Sequence, residues 1–304
     1  MRNALCSSLV ARAADPDFVF LTGDLGFQAL EPLREAMGAR FINAGVAEQN
    51  MITVAAGLAR SGLRPWAYSI APFIYARPFE QIRNDVCQHR LPVRLVGNGG
   101  GFAYGVMGGT HHALEDYGVL LCLAHMRAFV PAFDADVWAM VDALQTLAGP
   151  AYLRLGRSEQ PRDWPVPPYA PWRRLLPGER ATLLVVGPLV GGIVALLRDL
   201  APADRPDLWA LCELPIDELP GAFLDSVARS QHLVVVEEHG ARGGAGELIA
   251  RELLLRGHAP ARFSHQHARG YPSGRYGSQS FHRVECGIDA ESVVRPLLGA
   301  ERRS

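Results

Sequence analysis

The sequence predicts an α/β protein of two domains, each a mostly parallel sheet flanked by helices. Two observations carry that prediction. Short, continuously apolar, β-rich runs alternate with helical stretches almost from the first residue, the pattern of strands buried on both faces. The alternation stops once, over Arg157–Arg180, and then resumes. The interruption "PRDWPVPPYAPWRRLLPG" holds six prolines and no periodicity, so it reads as a semi-rigid linker. Residues 1–156 are therefore expected to form one domain, 157–180 the Pro-rich linker and 181–304 a second domain.

Each element can be justified in order. "MRNALCSSLVARAADPD" reads as an ordinary first helix, because Arg and Asp come too early for a signal peptide. Strands are expected at Phe18–Gly23, Arg40–Gly45, Arg64–Ile70, Val93–Gly99, Ala128–Ala132 and Ala151–Gly156. Helices are expected at about Ala47–Arg60, Phe79–His89 and Asp134–Leu147. After the linker, "ATLLVVG", "LWALCEL", "HLVVVEEH" and "ARFSHQ" read as strands with helices between them.

Composition narrows the function. The 304 residues are 49% hydrophobic with a formal net charge of −1, and no basic run marks a nucleic-acid surface. No apolar segment approaches the ~20 residues that span a bilayer. Cys6, Cys87, Cys122, Cys212 and Cys286 are scattered, without CxxC spacing. That pattern suits reduced thiols in a cytoplasm and gives no zinc site. All thirty basic residues are arginine. A chain without lysine cannot work through a lysine Schiff base or a P-loop lysine. Carbanion chemistry on a carbonyl substrate would need another cofactor as electron sink.

One stretch asks for explanation. "FINAGVAEQNM" places a single acid, Glu48, at the tip of a buried strand and in the first turn of an apolar helix. Helix-dipole chemistry alone could explain it, at about 0.3–1 kcal/mol. Function in open α/β sheets, however, sits in loops that leave the carboxyl ends of strands. Here those loops are "TGDLGF", "AGVAEQ", "SIAPFIYAR" and "GNGGGFAYGVMGGTHHALED". The last is glycine-rich but leads into no GxGxxG fingerprint. Its His111 and His112 stand beside Glu115 and Asp116 in a spacing that matches no recognised metal-ligand set.

Taken in order, Asp24–Leu25, "GVAEQNM", "SIAPF…R…EQIRND" and "GGTHHALED" resemble the pyrimidine-binding domain of the transketolases and the related 1-deoxyxylulose-5-phosphate synthases. "VVVEEHGARGGAG", Val234–Gly246, is similar to the core of the transketolase C-terminal domain. The resemblance covers nearly the whole chain, but only the second half of a full-length transketolase. It implies thiamine diphosphate as cofactor, with Glu48 hydrogen-bonded to N1′ of the aminopyrimidine ring. A carboxyl there favours the 4′-imino form that removes the thiazolium C2 proton. An apolar surround of Ile42, Val46 and Met51 would raise the carboxyl's pKa to suit it. Phe73 matches the aromatic on which the ring stacks. Leu25 matches the residue that keeps the cofactor bent, and Tyr68 and Arg77 are expected beside it. The resemblance places Asp24, Gln28 and His111 at the substrate, with Arg154 or Arg157 at a substrate phosphate.

Several positions depart from the family pattern. Gly109 stands where G-P-T-H has proline, and Gln28 where transketolases commonly have serine. "GNGGG" replaces the D-R-A stretch of the deoxyxylulose-phosphate synthases, which argues against that activity. The G-D-G diphosphate motif and its Mg2+-binding Asn are missing. The resemblance therefore implies the smaller subunit of a split transketolase, moving a two-carbon ketol unit from a ketose to an aldose. A large subunit is expected to carry the diphosphate and Mg2+ site in a heterotetramer of two large and two small chains. The rival readings are the beta subunit of a 2-oxoacid dehydrogenase, whose H-S-Q-S-like stretch "GTHHALED" lacks, and a non-catalytic subunit that stabilises its partner.

Overall fold

In the computed structural model, which describes residues 1–26 and 29–298, the apolar runs form two sheets. Along the chain the strands are β1 (Phe18–Thr22), β2 (Phe41–Asn43), β3 (Arg64–Ile70), β4 (Arg94–Asn98), β5 (Arg127–Phe129) and β6 (Ala151–Leu155). They continue with β7 (Trp172–Leu176), β8 (Thr182–Val186), β9 (Asp207–Leu211), β10 (Glu213–Leu214), β11 (His232–Glu237) and β12 (Arg262–His267). The first sheet runs β10-β5-β6-β4-β3-β1-β2 and the second β12-β11-β8-β9-β7. Strands β1 to β6 pair in parallel, as do β8, β9, β11 and β12. Every residue of β1, β6, β8 and β9 is buried, because helices cover both faces.

Two segments depart from the expectation. The Pro-rich stretch is not all linker: Trp172–Leu176 forms β7, an edge strand antiparallel to β9. The strand itself, "WRRLL", holds no proline; Pro171 and Pro177 bound it on either side. "LWALCEL" is not one strand either. It breaks at Cys212, and its last two residues cross to the first sheet, where Glu213 and Leu214 pair antiparallel with Phe129 and Ala128. The helix expected over Phe79–His89 is a short α-turn, Phe79–Gln81, that widens into a π-helical segment, Ile82–Cys87.

Buried charges join the halves. Arg173 of β7 donates through two nitrogens to both oxygens of Asp136, at 2.8 and 2.6 Å. Asp136 also accepts the backbone N–H groups of Ala132 and Phe133, each at 2.9 Å. Such bidentate, charge-assisted geometry is the strong form of ion pair. The "EEH" of β11 makes a second joint. Glu237 accepts the N–H groups of Ala245 and Gly246 at 2.8 and 2.9 Å, at the start of the helix Ala245–Leu255. It also pairs with His265 at 2.6 Å and accepts the Tyr117 hydroxyl from the first half. Burial alone would raise its pKa, but these hydrogen bonds hold it below the ordinary value.

Next along β11, Glu238 accepts the backbone N–H of Phe102 at 2.8 Å. A Cβ on Gly101 would stand 2.6 Å from Glu238, and one on Gly100 2.4 Å from Arg154. The glycines of "GNGGG" are thus needed so that the loop can pack against these two side chains. His239 stacks on Tyr117 with ring centroids 3.8 Å apart. Among the described residues, no helix is long and apolar enough to cross a membrane.

Candidate active site

The site is assembled where β1, β2, β3 and β4 end. After β1 the chain turns through Asp24, whose φ of 59° lies in the left-handed region that non-glycine residues seldom adopt. Asn43, at the end of β2, secures the turn: its Nδ2 donates to Asp24 Oδ1 at 2.8 Å, and its Oδ1 accepts the Gly45 N–H at 2.9 Å. Gly45 has φ +71°, with open space where a Cβ would be, so its backbone conformation is what calls for glycine. The turn delivers the chain into the helix Glu48–Arg60, with Ala47 at the N-cap.

Glu48 is 4% exposed, whereas Val46 before it is 75% exposed. Met51 is buried and Ile42 half-buried. The expected apolar surround is therefore only partial, and Val46 is no part of it. Instead a cation faces the carboxylate: Arg77 Nη1 donates to Glu48 Oε1 at 2.8 Å. Among the described residues no hydrogen bond reaches Glu48 Oε2. Nearby, the Ser69 hydroxyl is fully buried and has no hydrogen-bond partner among the described residues. Glu48 Oε1 and Ser69 Oγ flank one point, the place of a Cβ on Gly23, at 3.6 and 3.5 Å.

Phe73, in the short helix Ala71–Tyr75 after β3, supplies the aromatic face. The Arg77 guanidinium lies over that face, 3.8 Å from the ring centroid. His111 meets Phe73 edge-on at 5.2 Å and is tilted against Tyr104 at 5.8 Å. Its Nδ1 is 2.9 Å from Thr110 Oγ1, and Nε2 makes no hydrogen bond among the described residues. Glu48 and Arg77 line a cleft of about 570 Å³ together with Val46, Ala47, Gln49 and Asn50. A second cleft of about 260 Å³ holds Asp24, Leu25, Arg34 and Asn43.

Other expected site residues lie elsewhere. Tyr68 is a core residue, 2% exposed, packed 6.1 Å from Phe20. Side chains alternate along a strand, so Tyr68 goes to the core face while Ser69 goes to the Glu48 side. Sequence reasoning missed Ser69; its signal was this alternation next to Tyr68. Arg154 is buried and fully engaged, donating to Asp116 at 2.7 Å and to the carbonyls of Ala113 and Glu238 at 2.9 Å. It braces the two halves and does not reach an open cleft. Arg157 is exposed, in a cavity of about 410 Å³ that also takes in Arg2 and Asn98. Gln28 lies outside the described residues.

The adjacent histidines have different tasks. His112 is buried, with Nε2 2.7 Å from the Gly105 carbonyl and Nδ1 2.9 Å from the Tyr271 hydroxyl. Glu115 accepts from Tyr75 at 3.2 Å, while Asp116 accepts from Tyr152 at 2.8 Å and from Arg154. The four side chains thus diverge, and among the described residues no three His, Cys, Asp or Glu groups gather as a metal site.

A sheet whose strand-end loops bring an acid, an aromatic face and a histidine together defines a cofactor-binding α/β enzyme domain, and comparison with known proteins says which. Residues 4–162 match the transketolase pyrimidine binding domain, and the chain belongs to the transketolase family. It is 29% identical over 279 residues to the B subunit of the apulose-4-phosphate transketolase of Actinobacillus succinogenes, covering 87% of this chain and 86% of that one. It is 32% identical to the 1-deoxy-D-xylulose-5-phosphate synthase of Myxococcus xanthus, over 95% of this chain but only 49% of the synthase. A solved structure described as a split gene transketolase, inactive beta4 tetramer, superposes with a TM-score of 0.81 at 28% identity. That match covers 97% of this chain and 96% of the other.

Proposed function

We propose that this chain is the small subunit of a thiamine-diphosphate-dependent split transketolase, active with a large subunit that binds the diphosphate and Mg2+. The observation that carries the reading is Glu48, a buried carboxylate at a helix start whose Oε2 accepts no hydrogen bond among the described residues, beside the half-buried face of Phe73. The Ser69 hydroxyl next to it, without a partner among the described residues, fits a site meant for a further polar group. The apulose-4-phosphate and split-gene relatives, which match over most of their length, support a two-chain enzyme. Five unpaired cysteines suit a reducing cytoplasm.

When bound, the cofactor supplies the thiazolium that stabilises negative charge on the transferred carbon. The chain's own residues do the rest. Glu48 holds or shares a proton at the ring nitrogen of the aminopyrimidine, and Phe73 offers that ring a stacking surface. Leu25 lines the neighbouring cleft and limits how the cofactor can extend. His111 offers Nε2 to substrate oxygens, and Asp24 offers its carboxylate from the neighbouring cleft that Leu25 lines. The outcome is cleavage between carbons 2 and 3 of a ketose donor and transfer of the two-carbon ketol unit to an aldose aldehyde.

The assay is turnover by the two-chain complex with ketose donors and aldose acceptors, against pyruvate and branched oxoacids as donors. Ketol transfer is expected. Turnover of oxoacids alone would overturn the reading in favour of a 2-oxoacid dehydrogenase subunit. Partner activity that is lost without this chain but survives Glu48→Gln would favour a stabilising subunit.

A further inference from the structure

We infer that Arg77 is a placeholder for the cofactor's aminopyrimidine ring: its guanidinium fills the ring's position in the free chain and must swing out for the site to load. The inference rests on the proposed function above, and deepens it at the same site.

The argument is geometric. A ring that hydrogen-bonds Glu48 through an edge nitrogen while lying on Phe73 needs one position, within hydrogen-bond distance of the carboxylate and in van der Waals contact with the aromatic face. The Arg77 guanidinium already meets both conditions, 2.8 Å from Glu48 Oε1 and 3.8 Å from the Phe73 centroid. It is also planar, with N–H groups in its plane, so it presents to these partners the kind of surface a nitrogen heteroaromatic would. Two planar groups cannot share that space.

Arg77 is free to leave. Its side chain is 43% exposed, and among the described residues its ion pair is with Glu48 alone. Exposed Gln49 and Asn50 line the roomy cleft into which it can turn. It is also needed until the cofactor arrives, because an unpaired buried carboxylate is costly. The exchange has a consequence. Cofactor binding to this chain must displace a cation from both contacts, so affinity depends on what the diphosphate gains from the large subunit. Loading is thereby tied to assembly.

The test is calorimetric titration of thiamine diphosphate with Mg2+ into the assembled two-chain complex, wild type against Arg77→Met. Methionine keeps length and apolar bulk but can neither pair with Glu48 nor offer a cation to Phe73. Affinity is expected to rise about 3- to 30-fold, in line with the loss of one half-buried cation–aromatic contact. Unchanged or weaker binding by the variant, with normal binding by the wild type, would overturn this inference and leave the cofactor reading intact. No binding by the wild-type complex would overturn both. If the methionine variant does not fold, Arg77→Lys serves the same test, since it keeps the ion pair but cannot lay a plane on Phe73. It is expected to bind more tightly than wild type, and equal or weaker binding counts against the inference.

Discussion

The Arg283 guanidinium grips Glu238 through Nε at 3.0 Å and Nη2 at 2.8 Å, with both side chains under 10% exposed. Glu238 in turn holds the Phe102 N–H and the Gln279 amide, and Arg283 reaches Glu159 in the segment between the sheets. This pair therefore staples the glycine loop of the first half to the second. Arg283→Met leaves a buried carboxylate unpaired, which costs about 3–5 kcal/mol. Urea denaturation should show an unfolding free energy lower by that amount, read as a lower midpoint without a change in slope. A shift under about 1 kcal/mol would mean that the carboxylate finds water instead.

Glu48→Gln keeps the shape of the site but cannot exchange a proton with a ring nitrogen. Activity of the two-chain complex should fall by about 10²–10⁴-fold, the range of general acid–base catalysis. The melting temperature of the chain should change little, because Gln keeps a hydrogen-bond acceptor for Arg77, whose half-exposed guanidinium water can also reach. Activity within a few-fold of wild type would remove Glu48 from the chemistry.

His112 and His282 lie 5.0 Å apart, and His282 stacks on Phe102 at 4.9 Å. Burial is the main cause that lowers both pKa values, and the charge of His282 lowers that of His112 further. The unfolded chain takes up these protons near pH 6.5, before the folded chain does. Their contribution is complete above about pH 6.5 and is lost as pH falls from there through the folded values. Thermal melts between pH 7.5 and 5 should therefore show falling stability, and His282→Phe should flatten that slope. An unchanged slope would place the pH dependence elsewhere.

Arg157 is the exposed arginine at the end of β6 and Arg154 the buried one. Arg157→Met should raise KM for phosphorylated sugars about 10-fold, from the loss of one charge-assisted hydrogen bond, with unchanged cofactor affinity. Arg154→Met should instead destabilise the chain. Equal effects on KM would refute the distinction.

Much of this was legible in the sequence. The parallel sheets follow from the apolar alternation, and Glu48 drew attention because one acid stood in an apolar setting. What stayed hidden depended on distant partners. An arginine in "YLRLGR" reads alike whether it meets Asp116 or solvent, and only the fold brings Asp116 to Arg154. "LWALCEL" is continuously apolar up to its single acid, Glu213, and one acid does not by itself mark a change of sheet after Cys212. β7 was masked by flanking prolines, and nothing local to Arg173 marks the distant Asp136 that pairs with it.

The central claim is a cofactor site shared between two chains. It is tested most directly by titrating thiamine diphosphate and Mg2+ into this chain, into its large-subunit partner, and into the mixture. Tight binding only in the mixture is the predicted result. Tight binding to this chain alone would contradict it, because the diphosphate site would then lie on this chain.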